Sequence, residues 1–357
     1  MKGLKYLVWL CTRAYERKAA YSLGDGCPHP NELGTNEAKA FLKKAADFDV
    51  ENFFITGENG EPFLRKDMLE IIGFASELGF KPYIKTDGWN IDQNVVKYLA
   101  SRNCQVIISI AGSQNVDEML RGAGAYESSI RTAKLCAKEG ILTSLSVKNT
   151  KYVVNEIQNL VRLAQDIGSK GFSLADLIPQ PVCVNEQISK LGPLEPTPDE
   201  HEKELNEIYR LSKEKGNSIS LLAYDIFYNR IRAQHEPNLK LKSRCSVCTN
   251  LTSNEWLEVL DDGKAYGCSP LGLVFGDVRT DCFEDIMDRI RSSETVKRMA
   301  DRSNLKGKCG ICEFNEICGG CRARAHLYSG DMLAQDPLCP YIPRIGRDCK
   351  ENKMKTH

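Results

Sequence analysis

The sequence predicts an α/β fold: a partial (β/α)6 TIM-like barrel followed by a cysteine-rich, metal-stabilised domain. Three observations predict it. Short apolar runs alternate with amphipathic segments as far as about residue 180. A Pro- and Gly-rich stretch then breaks the alternation. After about residue 240 clustered cysteines replace the long periodic segments.

The strand candidates are residues 6–10, 52–55, 81–85, 105–110, 142–147 and 172–178, with helical patterns at 37–46, 66–78, 93–100, 126–138 and 154–167 between them. Strand alternating with helix means βαβ units and a parallel sheet. Right-handed crossovers curl that sheet one way, so ligands belong at its C-terminal strand ends. A doubly wound sheet is the alternative. Ile178-Pro179-Gln180-Pro181 and the segment from Gly192 to Pro198 read as a linker or lid. Thr197 and Glu200 then form a capping box around Pro198, starting a helix that runs to about Lys215. The expected domains are 1–225 for barrel, linker and helix, 226–345 for the cysteine-rich part, and 346–357 for a tail.

The chain has 357 residues, and Lys plus Arg equals Asp plus Glu at 48. Zero net charge argues against a generally basic nucleic-acid binder. The apolar run from Leu4 to Cys11 contains Lys5 and passes into Thr12-Arg13 without a small-residue cleavage site, so it reads as a buried strand. No stretch reaches membrane-spanning length. Fifteen cysteines without a secretion signal point to reduced, cytoplasmic thiols, and clustered ones to metal.

Eight cysteines form the cluster: Cys245, Cys248, Cys268, Cys309, Cys312, Cys318, Cys321 and Cys339. Pairs two residues apart grip one centre from a single turn, and Gly263, Gly267, Gly310, Gly319 and Gly320 let backbone N–H groups approach sulfur. Eight thiolates complete two [4Fe–4S] clusters. Two zinc sites of four thiolates each are the alternative that spacing leaves open. Of Cys11, Cys27, Cys104, Cys136, Cys183, Cys282 and Cys349, most read as small packed hydrophobes.

The run from Cys248 through Gly263 and Cys268 to Cys309-x2-Cys312-x5-Cys318-x2-Cys321 and Cys339 resembles the SPASM domain of radical S-adenosylmethionine (SAM) enzymes. The resemblance implies interleaved ligands: Cys245, Cys248, Cys268 and Cys321 on one auxiliary cluster, Cys309, Cys312, Cys318 and Cys339 on the other. Cys318-Gly-Gly-Cys321-Arg322-Ala-Arg324 with Asp336-Pro337-Leu338-Cys339-Pro340 looks most like the tetrapyrrole branch, which includes haem synthase and haem d1 biosynthesis enzymes. The likeness extends over the barrel. There, family members follow the first strand with C-x3-C-x2-C, whose thiolates hold the SAM-binding cluster. Here Thr12-Arg13 and Tyr21 match, but the ligand positions read Tyr15, Ala19 and Ser22. Ala supplies no ligand, and Tyr and Ser offer hard, high-pKa oxygens. The family's Gly-Gly-Glu-Pro is also altered, to Thr56-Gly57-Glu58-Asn59-Gly60-Glu61-Pro62. No cluster is expected at this site. Gly57, Gly60, Glu61, Pro62 and Ser109 are what the resemblance leaves of a SAM site, with Thr86-Asp87-Gly88 as a looser match. Relocating ligands to Cys11, Cys27 and His29 would need spacings unlike known cluster motifs.

Arg322, Arg324 and His326 read either as carboxylate binders, as for a porphyrin propionate, or as a solvated face. His201 and His235 give no catalytic signal. Three functions follow as expectations. The first is a degenerate radical-SAM-like protein that binds a partner enzyme, redox protein or substrate and relays electrons. The second is a disabled or rebuilt radical-SAM-type oxidoreductase or maturase acting on a tetrapyrrole or peptide, its chemistry anaerobic. The third is a zinc-stabilised interaction module.

Overall fold

The computed structural model describes residues 3–22, 26–57, 60–178, 191–241 and 255–344. Glu58, Asn59, Cys183, Cys245, Cys248, Cys349, most of the Pro-rich linker and the tail from 346 lie outside the described residues.

Strand β1 (Leu4–Leu10) starts a parallel series through β2 (Val50–Thr56), β3 (Tyr83–Thr86), β4 (Gln105–Ile110), β5 (Leu142–Lys148), β6 (Gly171–Ala175) and β7 (Ser220–Ala223). The helices α1 (Thr35–Asp47), α2 (Met68–Glu77), α3 (Gln93–Ser101), α4 (Gln114–Arg121), α5 (Ala125–Lys138), α6 (Ile157–Ile167) and α7 (Pro198–Ser212) connect them. This is the expected partial (β/α) barrel. On β4, Val106, Ile108 and Ile110 are buried in the core, while Ser109 points to the opposite face and lines a cavity. The period of two thus separates core from barrel interior. Thr197 and Glu200 make the predicted capping box.

Two elements escape the periodicity. Strand β7 is four residues long, and α4 is a short helix directly behind β4. Neither is long enough to show a period in sequence.

The sheet also continues beyond β1. Strand β8 (Trp256–Leu260) pairs in parallel with β1, from Tyr6 opposite Trp256 to Leu10 opposite Leu260. The hairpin of β9 (Lys264–Tyr266) and β10 (Val274–Asp277) adds antiparallel strands outside it. The cysteine-rich part is therefore built directly onto the barrel's sheet. Helices α8 (Phe227–His235), α9 (Phe283–Ser292), α10 (Glu294–Ala300), α11 (Gly307–Gly310) and α12 (Arg322–Ser329) complete the described fold. Phe283 of α9 stacks on Phe41 of α1 with ring centroids 6.1 Å apart, joining the late helices to the same core. Among the described residues, no helix is long and apolar enough to cross a membrane.

Candidate functional site: a barrel cavity and a cysteine-lined end

The barrel's C-terminal strand ends open on a cavity of about 120 Å³. Its wall brings together Tyr15, Ala19 and Ser22 with Gly57, Gly60, Glu61 and Ser109. Pro62 stands apart from this lining, buried in the short turn Pro62–Leu64. The segment carrying Tyr15, Ala19 and Ser22 is closed by its own hydrogen bonds. Ser22 Oγ accepts from the Ala19 N–H (3.1 Å), the Tyr15 N–H donates to Gly26 O (3.2 Å), and the Ala20 N–H donates to Leu120 O (2.7 Å). Arg17 lies over the Trp89 ring, 3.3 Å from its centroid. Gly60 is pressed so closely on this segment that a Cβ there would stand 2.4 Å from Thr12 O.

Glu61 is buried and fully engaged. It accepts from Thr86 Oγ1 (2.6 Å), the Asp87 N–H (2.9 Å) and the Phe63 N–H (3.1 Å). Burial, then the nearby Asp87 charge, raises its pKa well above the usual carboxylate range. Thr86, Asp87 and Gly88 thus support Glu61 and the adjoining turn rather than forming ordinary loop. Arg121 grips the buried Asp117 bidentately and donates to Ser109 O (3.1 Å).

Of the relocation candidates, Cys11 packs in the core with its thiol pKa pushed up by burial, Cys27 is exposed, and His29 Nδ1 accepts from the Asn31 N–H. The described structure does not gather the three into a compact ligand group.

At the other end, backbone N–H groups donate to the sulfurs of two described late cysteines. Cys309 Sγ accepts from the Asp336 N–H (3.5 Å) and Cys321 Sγ from the Arg324 N–H (3.4 Å). Burial raises the thiol pKa of Cys312, Cys318 and Cys339, and the nearby amides of Phe314, Gly320 and Tyr341 work the other way. Gly319 and Gly320 both adopt positive φ, at 68° and 70°. A Cβ on Gly320 would stand 3.0 Å from Cys309 Sγ. The two glycines therefore let the chain fold back tightly beside that sulfur. Cys321 also caps α12, placing its sulfur at the positive end of the helix. No three cysteine sulfurs of the described residues lie within 4.8 Å of one another. Ligands of a single tetrahedral zinc stand about 3.8 Å apart.

Arg322 and Arg324 correct both sequence readings. They form no solvated face: both are buried, at 0% and 1% exposure, and turned to partners inside the protein, while His326 is partly exposed. Arg322 donates to the carbonyls of Met332 and Ala334, and its guanidinium stands 3.6 Å from Cys309 Sγ. Arg324 spans Asp336 and Asp225 at 2.9 Å each, while Asp336 Oδ2 also accepts the Cys321 N–H (2.7 Å).

Asp225 continues the chain of contacts to His201 Nε2 (3.0 Å), and the Asn149 amide lies 2.7 Å from Nδ1. His201, with no visible role in the sequence, is thus the centre of a buried ionic network. His235 stays outside it, stacked on Tyr209 and bonded to Asn206. Asp176, His201 and Asp225 also form the one described group with ligand atoms close enough to approach a metal ion, within 4.8 Å of one another. The Arg324 guanidinium, however, already neutralises Asp225. Burial works against charge on His201, but Asp225, Glu204 and Asp176 outweigh it and push the imidazole up to about 10. A protonated His201 offers a metal no lone pair, and the Asn149 amide then presents its oxygen to Nδ1–H.

The folded state therefore holds this proton more tightly than the unfolded chain. Its contribution is complete below about pH 6.5 and is lost as pH rises through about 10. Burial and the Asp225 charge push Asp176 up to about 8, so its own ionisation overlaps the start of this range, and the imidazole is read from the difference between wild type and a variant lacking it. Urea unfolding between pH 8 and pH 10 should show wild type losing stability more steeply than His201→Asn. Parallel slopes would mean that His201 is neutral in the fold.

No protein-family model matches the chain. In sequence it is similar to the AdoMet-dependent heme synthase of Oleidesulfovibrio alaskensis, 28% identical over 328 residues, covering 89% of this chain and 81% of that protein. It is also similar to the AdoMet-dependent heme synthase of Nitratidesulfovibrio vulgaris, 27% identical over 97% of this chain and 95% of that one. In structure it is similar to Streptococcus suis SuiB bound to S-adenosylmethionine, with a TM-score of 0.72 at 16% identity, covering 95% of this chain and 78% of that one. The likeness is one of fold: the partial (β/α) barrel described above is shared with these structures.

Proposed function

We propose that this chain is an iron–sulfur protein of the radical SAM/SPASM fold that has lost the SAM-binding cluster. It keeps two auxiliary [4Fe–4S] clusters and binds a partner or small-molecule substrate to which they relay electrons. One observation carries the reading: the Asp336 and Arg324 amides donate to the sulfurs of Cys309 and Cys321, where Gly320 brings the chain close beside the Cys309 sulfur. Amides directed at sulfur stabilise thiolates bound to a cluster and tune its potential.

The donor sets differ in what they fit. Tyr15, Ala19 and Ser22 offer no thiolate, and the Ser22 hydroxyl is already bonded within its own segment. No step is derived through a cluster there. The late cysteines fit: by the family's interleaved pattern, Cys309, Cys312, Cys318 and Cys339 would hold one cluster, and Cys245, Cys248, Cys268 and Cys321 the other. Bound clusters would supply one-electron transfer. Burial raises the thiol pKa of Cys339 to about 11, so loading requires metal to displace protons. The similarity to two heme synthases makes a tetrapyrrole a reasonable substrate class. Iron, acid-labile sulfide and zinc per chain, measured after anaerobic purification, test the proposal. About eight irons and eight sulfides are expected. Zinc in place of iron would overturn it, and about twelve irons would mean that a third cluster has found ligands.

A further inference from the structure

A pair of carboxylates, Asp176 and Asp225, stands between the barrel and the cysteine-rich end. Asp176 directly follows β6, whose last residue, Ala175, lines the barrel cavity. Asp176 is partly exposed, whereas His201, Asp225, Arg324 and Asp336 are each at most 2% exposed. Side-chain atoms of Asp176, His201 and Asp225 lie within 4.8 Å of one another. From Asp225 the contacts run inward to Arg324 (2.9 Å), from Arg324 to Asp336 (2.9 Å), and from Asp336 to the Cys321 N–H (2.7 Å). One end of this buried chain is open to proton exchange at Asp176. The other ends at a cysteine assigned to a cluster.

Two carboxylates this close do not both ionise freely. Asp225 is committed to His201 and Arg324, so Asp176 is the member that exchanges the proton. Burial and the Asp225 charge, outweighing the Arg324 and His201 cations, raise its pKa to about 8. Two further acids border the network. Glu204 of α7 stands 3.7 Å from His201 Nδ1, and Glu195, just before α7, accepts from the Tyr328 hydroxyl. Burial raises both. Charges inside such a path are screened far less than charges in water. Negative charge arriving at its inner end therefore makes the outer carboxylate harder to ionise.

We infer that Asp176 is a redox-linked proton site. Its carboxylate takes up one proton from solvent as one electron, from a one-electron donor, arrives at an auxiliary cluster. It returns that proton when the electron leaves for the partner, so the net charge of the buried region is the same before and after. This role rests on the proposed clusters and adds a proton to the electron they relay.

Redox potentiometry of the purified holoprotein between pH 7 and pH 9.5, with dithionite as reductant and visible absorption and paramagnetic resonance as readouts, tests it. Iron and sulfide are measured on the same samples. In wild type, the reduction constant of at least one cluster should fall at least threefold as pH rises above about 8; threefold is about 28 mV for one electron. Asp176→Asn should abolish the slope, and Asp176→Glu should keep it. Circular dichroism checks folding. If the Asn variant is unstable, redox-difference infrared spectra carry the comparison: reduction should bring up a protonated-carboxyl stretch in wild type, shifted in frequency in Asp176→Glu. Midpoints independent of pH in a wild type holding about eight irons, or an unchanged slope in folded Asp176→Asn, would overturn the role of Asp176 and leave the clusters standing. A protein without iron would overturn both.

Discussion

Changing Cys309 and Cys318 together to Ser should lower iron from about eight to about four per chain. Both are assigned to the same cluster, and the serine oxygens are poor partners for iron that prefers thiolate. The loss should reach stability as well. Metal binding to a site absent from the unfolded chain is folding energy, on the order of 10 kcal/mol for structural sites. Around Cys309 regular structure is short: α11 is four residues long, and the turn through Gly319 and Gly320 packs close beside the sulfur. Unfolding should therefore become less cooperative in the double variant. The buried thiols Cys104 and Cys136 give the control. Burial raises both to about 12, and Cys104 Sγ faces Arg102 O (3.9 Å), so their replacement should leave iron unchanged. Eight irons retained in the Cys309 and Cys318 variant would remove these residues from the ligand set.

Arg324→Met should destabilise the protein by roughly 3–5 kcal/mol in urea unfolding, because it leaves buried carboxylates without their partner. Asp225 and Asp336 are both at most 1% exposed. Burial alone would raise Asp225, yet Arg324 and His201 hold it well below the usual carboxylate range. Removing the guanidinium withdraws the larger of those charges. Arg324→Lys should fall in between, since one ammonium cannot span Asp225 and Asp336 as the planar fork does. The surface pair of Arg210 with Glu207 sets the scale: Arg210 is half-exposed, and Arg210→Met should cost no more than about 1 kcal/mol. Equal losses for Arg324→Met and Arg210→Met would show that the network carries no weight. The same change should disturb the Cys321 region, because Asp336 holds the Cys321 N–H. A shift in the iron-dependent absorption spectrum of Arg324→Lys would report that link independently of folding.

Much of the fold was legible because burial leaves a periodic trace. On β1 and β4 the trace is a nearly continuous apolar run, as in parallel strands covered on both faces, and α6 carries its buried set Ile157, Leu160, Val161, Ala164 and Ile167 at helical spacing. The capping box at Thr197 was readable since it depends on two side chains three residues apart. Elements of four to eight residues, such as β7 and α4, leave too short a trace. The pairing of β8 with β1 joins positions about 250 residues apart through backbone hydrogen bonds, which carry no residue code.

The candidate sites divide in the same way. Thiol spacing and the missing cysteines at 15, 19 and 22 are local facts, so the sequence by itself determined the metal-binding chemistry to expect and the donor set that cannot support it. The Asp336 in the quoted Cys339 motif was visible too, but its role was not. Charged residues read alone look like surface because ionised groups belong in water. Only the tertiary structure decided that Arg322 and Arg324 are interior, since burial of a guanidinium is tolerated only when distant partners converge on it. Asp225 lies 99 positions from Arg324, and His201 another 24 from Asp225.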